Sequence, residues 1–256
     1  MIHYPNPIHI ASAISTNTTL DEISNKNQLP ELSCVYTDFQ SAGRGQRGNS
    51  WESEKGANLL FSIVFFPHFL PANKQFYLSQ VNALALQETL AQYADDITVK
   101  WPNDIYWQDM KLCGTLIEND LMGMNLNKSI AGTGVNLNQQ TFVSDAPNPV
   151  SLSQITGQVY DIEKILHQIL ERTVYYYELL KQGKEDEIAK RYCDVLYRKD
   201  GLHTYRDAKG IFQASIVEIQ PSGRLILEDE EGNLRPYLFK EVACILPSPK
   251  GSTLEL

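Results

Sequence analysis

The sequence predicts an α/β (α+β) domain built on a mixed sheet, followed by a small antiparallel β-module. Two observations carry this reading. Over residues 1–200, strand-like runs rich in Val, Ile, Leu and Phe alternate with segments of helical apolar spacing. After Asp200-Gly201 only short alternating strands remain, separated by the turns Pro221-Ser222-Gly223 and Glu231-Gly232-Asn233. A length of 256 residues has room for both parts, divided as 1–200 and 201–256.

Residues 1–30 are polar and loop-rich, and Ser15-Thr16-Asn17 opens a short helix that runs to Ile23. Residues 34–39 and 59–66 read as strands. Over 76–93, Val81, Leu84, Ala85 and Leu90 fall at helical spacing with no internal Pro or Gly. A strand at 97–101 is stopped by Pro102, which lacks the N–H a ladder needs. Residues 105–107 and 112–118 pair as a hairpin around Gln108-Asp109-Met110, and a strand at 129–137 carries Gly132 and Gly134. The clearest helix covers 161–180, with Ile162, Ile165, Leu166, Ile169, Thr173, Tyr177 and Leu180 on one face. Tyr175, Tyr176 and Tyr177 cannot share that face, so at least one is expected to be exposed. A second helix at 185–196 follows Gly183. The C-terminal strands fall at 211–219, 225–227, 235–239 and 242–246, the pattern of an SH3-like barrel.

Composition removes several function classes. A net charge of −9 argues against general nucleic-acid affinity. No apolar run approaches the ~20 residues that span a bilayer. The start, Met1-Ile2-His3-Tyr4-Pro5, lacks the basic and apolar regions of a signal peptide. Cys34, Cys113, Cys193 and Cys244 show no paired spacing and read as reduced thiols of a cytoplasmic protein. His3, His9, His68, His167 and His203 show no ligand spacing, so no fixed metal site is expected.

The most informative stretch is Gly43-Arg44-Gly45-Gln46-Arg47-Gly48-Asn49-Ser50-Trp51. Glycines permit close backbone approach, guanidinium groups match phosphate and carboxylate geometry, and an indole stacks on flat rings. An anionic, ring-containing ligand such as a nucleotide fits this set. The match to a dinucleotide fingerprint is accidental: the stretch leads into an apolar strand rather than a helix, and the acidic position roughly 20 residues on falls near Ile63. Neither a Walker A Gly-Lys-Ser/Thr nor the valine of a kinase glycine loop is present. The stretch reads as a surface loop between two strands.

Three further clusters narrow the ligand: Lys100-Trp101-Pro102-Asn103-Asp104, Lys111-Leu112-Cys113-Gly114-Thr115-Leu116-Ile117-Glu118, and Ala131-Gly132-Thr133-Gly134-Val135-Asn136-Leu137-Asn138. Together with Ser15-Thr16-Asn17 and Gln40-Ser41-Ala42-Gly43-Arg44-Gly45, in this order and spacing, they resemble the biotin–protein ligase family. The resemblance runs from about Ser15 into the C-terminal module. It implies a class II synthetase-like catalytic domain that joins biotin and ATP into biotinyl-5′-adenylate. The biotinyl group then passes to a lysine of a biotin carboxyl carrier protein.

The resemblance also assigns roles. Lys111 would bridge the biotin carboxylate and the α-phosphate, Arg44 and Arg47 would gather phosphate charge, and Mg²⁺ would cover the rest. Ser15, Thr16, Asn17, Gln40, Gly43, Gly114 and the backbone near Arg44 match the biotin side. Trp51, Gln46, Lys100, Asn103, Asp104, Gly132 and Asn136 match the adenylate side. The glycine loop would fold over the ligand and keep water from the mixed anhydride. Trp51, Trp101, Gly132 and Gly134 also admit plain packing roles, Arg44 and Arg47 a role as solvated loop charges, and Lys100 with Asp104 a turn-fixing ion pair. The common family pattern has arginine where this chain has Gln46, which implies weaker retention of the adenylate or compensation by Arg47. Some members carry an N-terminal DNA-binding domain; 14 residues before Ser15 leave no room for one, so no DNA binding is expected. Members occur as monomers and as homodimers. A lipoate–protein ligase and a non-catalytic biotin or nucleotide sensor are the rival readings.

Overall fold

The apolar runs of the first 135 residues become seven strands: β1 (Ile8–Ile10), β2 (Cys34–Thr37), β3 (Leu59–Phe65), β4 (Ile97–Lys100), β5 (Asp104–Trp107), β6 (Met110–Met122) and β7 (Asn125–Val135). They form one sheet in the order β1-β2-β3-β7-β6-β5-β4. The β1–β2 pair is parallel and the others antiparallel, so the sheet is mixed as expected. The structure is a computed structural model and describes residues 4–45, 49–143 and 148–246. By its contacts the chain divides into two units, Met1–Tyr197 and Arg198–Leu256.

All seven residues of β3 are buried, which explains its nearly unbroken apolar sequence: the strand is covered on both faces. On one face lies α1 (Thr16–Lys26), whose Leu20 packs with Val35, Val64 and Ile130. The other face carries α2 (Phe76–Leu90) and α4 (Ile162–Lys181), where the ring of Tyr177 meets Phe65 edge-on at 5.1 Å. Helix α5 (Glu185–Asp194) joins that layer through Tyr192 against Phe76. Helix α2 is buried on nearly every side, not along one stripe, because it is the middle layer between the sheet and α4 and α5.

In the first unit the sequence reading missed β1, the single 3-10 turn Ala72–Lys74 and α3 (Leu152–Thr156); α3 is held by a capping box between Ser151 and Gln154. It also cut β6 and β7 short. Their outer halves are largely exposed, at Glu118, Asp120, Leu121, Met122 and Asn125, so the alternation of a half-buried strand fades before the ladder ends. Tyr176 and Tyr177 are buried, and Tyr175 is half-buried where an exposed tyrosine was expected. Its ring is edge-on to Tyr176, and Arg191 lies over it.

The second unit is a five-stranded antiparallel sheet in the order β11-β10-β9-β8-β12, formed by β8 (His203–Asp207), β9 (Gly210–Ile219), β10 (Leu225–Asp229), β11 (Leu234–Tyr237) and β12 (Ala243–Cys244). Strand β8 escaped the sequence reading because only Tyr205 among its five residues is buried. Among the described residues no pairing joins β11 to β12, so the sheet is present without ladder closure into a barrel. Among the described residues no helix is long and apolar enough to cross a membrane. Cys34 and Cys113 lie in the core, where burial pushes their thiols well above the usual range.

Candidate functional site

Strand alternation places Gly114, Leu116 and Glu118 of β6, Gly132 and Gly134 of β7, and Leu60, Ser62 and Val64 of β3 on the face that carries α1. Gly114 pairs with Gly134, which makes two adjacent positions without side chains. The indole of Trp51 lies in the space so created. A Cβ on Gly134 would fall on its ring, and one on Gly114 would come within 2.9 Å of Cζ3. A Cβ on Gly132 would fall on the Asn17 amide. These glycines therefore admit neighbours to the backbone, beyond merely relieving crowding in the sheet. Trp51 Nε1 is buried with no hydrogen-bond partner, an uncommon state for an indole donor.

Lys111 stands at one end of this floor. Its backbone is fixed on both sides, its N–H donating to Asn148 and its carbonyl accepting from Val150. The ammonium donates to Asp104 Oδ2 at 2.7 Å and lies 5.9 Å from the Trp51 ring centroid. Lys111 and Asp104 are both about 30% exposed, at 29% and 28%. A half-buried cation keeps a stronger field than a solvated one. Asp104 opens β5 after the Pro102 turn, and Asn103 beside it is buried. Lys100, opposite Asp104 in the ladder, donates to Tyr106 Oη at 3.0 Å and lies over that ring.

The start of α1 forms the other end. Gln40 Oε1 accepts from the Thr16 N–H at 2.8 Å and from its hydroxyl at 3.2 Å. Ser62 Oγ donates to Asn17 Oδ1 at 2.6 Å and lies 2.7 Å from Thr16 Oγ1. Ser15, Thr16 and Asn17 are all buried, an unusual density of polar groups at a helix start. Gly43 accepts from the Trp51 N–H, and a Cβ there would approach the Trp51 carbonyl to 2.8 Å. Arg44 then bridges to Ser50, and its guanidinium forks onto Glu118.

Contacts thus link Thr16, Asn17, Gln40, Gly43, Arg44, Trp51, Asp104, Lys111, Gly114 and Gly132, with Ser15 at the head of α1. Asn136 donates to the Val150 carbonyl at 3.2 Å, and its Oδ1 is buried without a partner. Gln46 and Arg47 lie outside the described residues. Sequence reasoning gave no role to Ser62 or Glu118. The signal for Ser62 was a lone hydroxyl within an apolar strand; Glu118 was visible only as the end of a quoted motif. Among the described residues no group of three or more His, Cys, Asp or Glu could hold a metal ion, and the two carboxylates at the floor's ends, Asp104 and Glu118, are each engaged by a cation.

Known proteins are similar to this chain in sequence and in fold. Residues 10–136 match the Biotin/lipoate A/B protein ligase family. The bifunctional ligase/repressor BirA of Bacillus subtilis is 33% identical over 236 residues, covering 87% of this chain and 69% of that protein. BirA of Salmonella typhimurium is 29% identical over 265 residues, covering 93% of this chain and 80% of its own. The biotin protein ligase of Aquifex aeolicus, solved in complex with biotin and ATP, superposes with a TM-score of 0.78 at 25% identity, over 95% of this chain and all of that one. The chain belongs to the biotin–protein ligase family.

Proposed function

We propose that the chain is an ATP-dependent biotin–protein ligase, acting through biotinyl-5′-AMP on a lysine of a biotin carboxyl carrier protein. The observation that carries this reading is the half-buried Lys111 ammonium held over the glycine floor, where a carboxylate and a phosphate must be brought together. In the first step a biotin carboxylate oxygen attacks the α-phosphorus, the α–β phosphoanhydride breaks, and pyrophosphate leaves. In the second, the carrier's lysine amine attacks the acyl carbon, forms an amide, loses a proton and releases AMP. Both attacking groups come from substrates, so the protein's part is placement and electrostatics.

Lys111 would lie between the two mutually repelling anions, and Asp104 would hold it there before they arrive. The hydroxyl and amide cluster of Ser15, Thr16, Asn17 and Gln40 offers both donors and acceptors, as a ureido ring requires. Gly43, Gly114 and the Arg44 backbone complete the biotin side. Trp51 would stack on the adenylate, beside Gly132, Asn136, Lys100, Asn103 and Asp104. Gln46 and Arg47 would face phosphate oxygens from the loop. Among the described residues no group of three His, Cys, Asp or Glu offers a resident site, and Mg²⁺ would enter with the triphosphate. Residues 1–200 would carry the chemistry, residues 201–256 would form an SH3-like module, and the reaction would be cytoplasmic.

The test is incubation with ATP, Mg²⁺ and a purified carrier domain, with biotin or lipoate supplied separately, followed by the carrier's mass. A gain of one biotinyl group is expected with biotin alone. A lipoyl gain would make the chain a lipoate ligase, and no gain with either would leave a binding protein.

A further inference from the structure

We infer that Glu118 is a positioning residue for the biotin side of the site, and that the Arg44 side chain serves as its anchor instead of as a phosphate ligand. The inference rests on the biotin-ligase reading above. Glu118 Oε1 accepts from Arg44 Nη1 at 3.0 Å, and Oε2 accepts from Arg44 Nη2 at 2.8 Å and from Asn17 Nδ2 at 2.7 Å. One carboxylate thus joins the base of the glycine loop to the first turn of α1. Asn17 carries the link onward, because its Oδ1 accepts from Ser62 and its amide rests on Gly132.

Geometry separates this cluster from the phosphate chemistry. Glu118 lies four residues beyond Gly114 on β6, about 13 Å at the usual rise of a strand. The Lys111 ammonium leans over Gly114 itself, 3.2 Å from where a Cβ would be. The Arg44 guanidinium is therefore drawn toward the α1 end, away from the lysine.

Energetics point the same way. Arg44 and Glu118 are 46% and 42% exposed, and exposed ion pairs contribute little to stability. A bidentate fork, however, fixes direction, and here it fixes the backbone at the base of the glycine loop. That backbone is also held by the Arg44–Ser50 bridge and the Gly45 N–H bond to Asn49. Glu118 and Arg44 would then act as one unit on biotin and leave ATP untouched.

The experiment measures biotinyl-adenylate formation by wild type, Arg44→Met, Glu118→Gln, the double variant and Arg44→Lys, with KM for biotin and ATP determined separately and melting temperatures as a fold control. Each single variant should raise KM for biotin roughly tenfold, the scale of one charge-assisted contact, with KM for ATP within about twofold. The double variant should be no worse than the poorer single, the mark of residues that act together. Arg44→Lys, which keeps the charge and loses the fork, should fall between, and a direct loss of biotin affinity by titration supports the same conclusion if turnover is lost. The inference is overturned if Arg44→Met raises KM for ATP instead, or if the two effects multiply. Wild type that forms no adenylate would instead refute the ligase reading on which the inference stands.

Discussion

At the scale of single residues, the site depends on side chains that are missing as much as on those present. A Cβ at Gly134 would displace the Trp51 indole, so Gly134→Ala should shift tryptophan emission and raise KM for ATP about tenfold, with little change in melting temperature. An unchanged emission spectrum would show that the indole does not rest on this glycine. Gln46 offers a second test from sequence alone. If the missing charge weakens retention of the adenylate, Gln46→Arg should slow adenylate release from the enzyme. Equal release rates would point to compensation by Arg47. The glycines, Lys111 and Trp51 were legible in the sequence because each belongs to a dense local motif. Ser62 and Glu118 were not, since their meaning comes from partners 45 and 74 residues away.

At the scale of elements, legibility followed burial. Strand β3 and helix α4 were plain because long apolar runs or stripes specify them, whereas β1 and β8 are short and mostly unburied. Helix α1 was found from its polar opening, and its apolar hold on the sheet centres on Leu20, packed with Val35, Val64 and Ile130 and flanked by the partly buried Ile23. Leu20→Ala should cost about 2–5 kcal/mol and carry the biotin-side residues with it, seen as a lowered melting temperature and weakened biotin binding together. In the second unit, Asp229 closes the β10–β11 turn. The Asn233 N–H bond, followed by Arg235 and the Glu231 N–H, holds its carboxyl down at about 2, against an ordinary 3.8. A lowered folded value means that this contribution is whole above pH 3.8 and is lost as pH falls toward 2. Asp229→Asn should remove that acid sensitivity between pH 4 and 2, measured by denaturation of both proteins across the window.

At the scale of the molecule, residues from five short motifs far apart along the chain are brought to one face of one sheet. The fold achieves this by register: Gly114 beside Gly134, Leu116 beside Gly132, and Leu60 and Ser62 completing the floor. Sequence spacing could not supply that pairing, nor the engagement of Arg44 by Glu118 that separates it from Lys111. What remains is whether this face joins a carboxylate to a nucleotide. The most direct measurement is the exchange of labelled pyrophosphate into ATP, which reports the first step without any carrier. Exchange should require biotin, be absent with lipoate, and fall by roughly a hundredfold or more in Lys111→Ala while the fold is retained. Exchange in Lys111→Ala at the wild-type rate, or exchange that does not depend on biotin, would contradict the central role given to that lysine and its glycine floor.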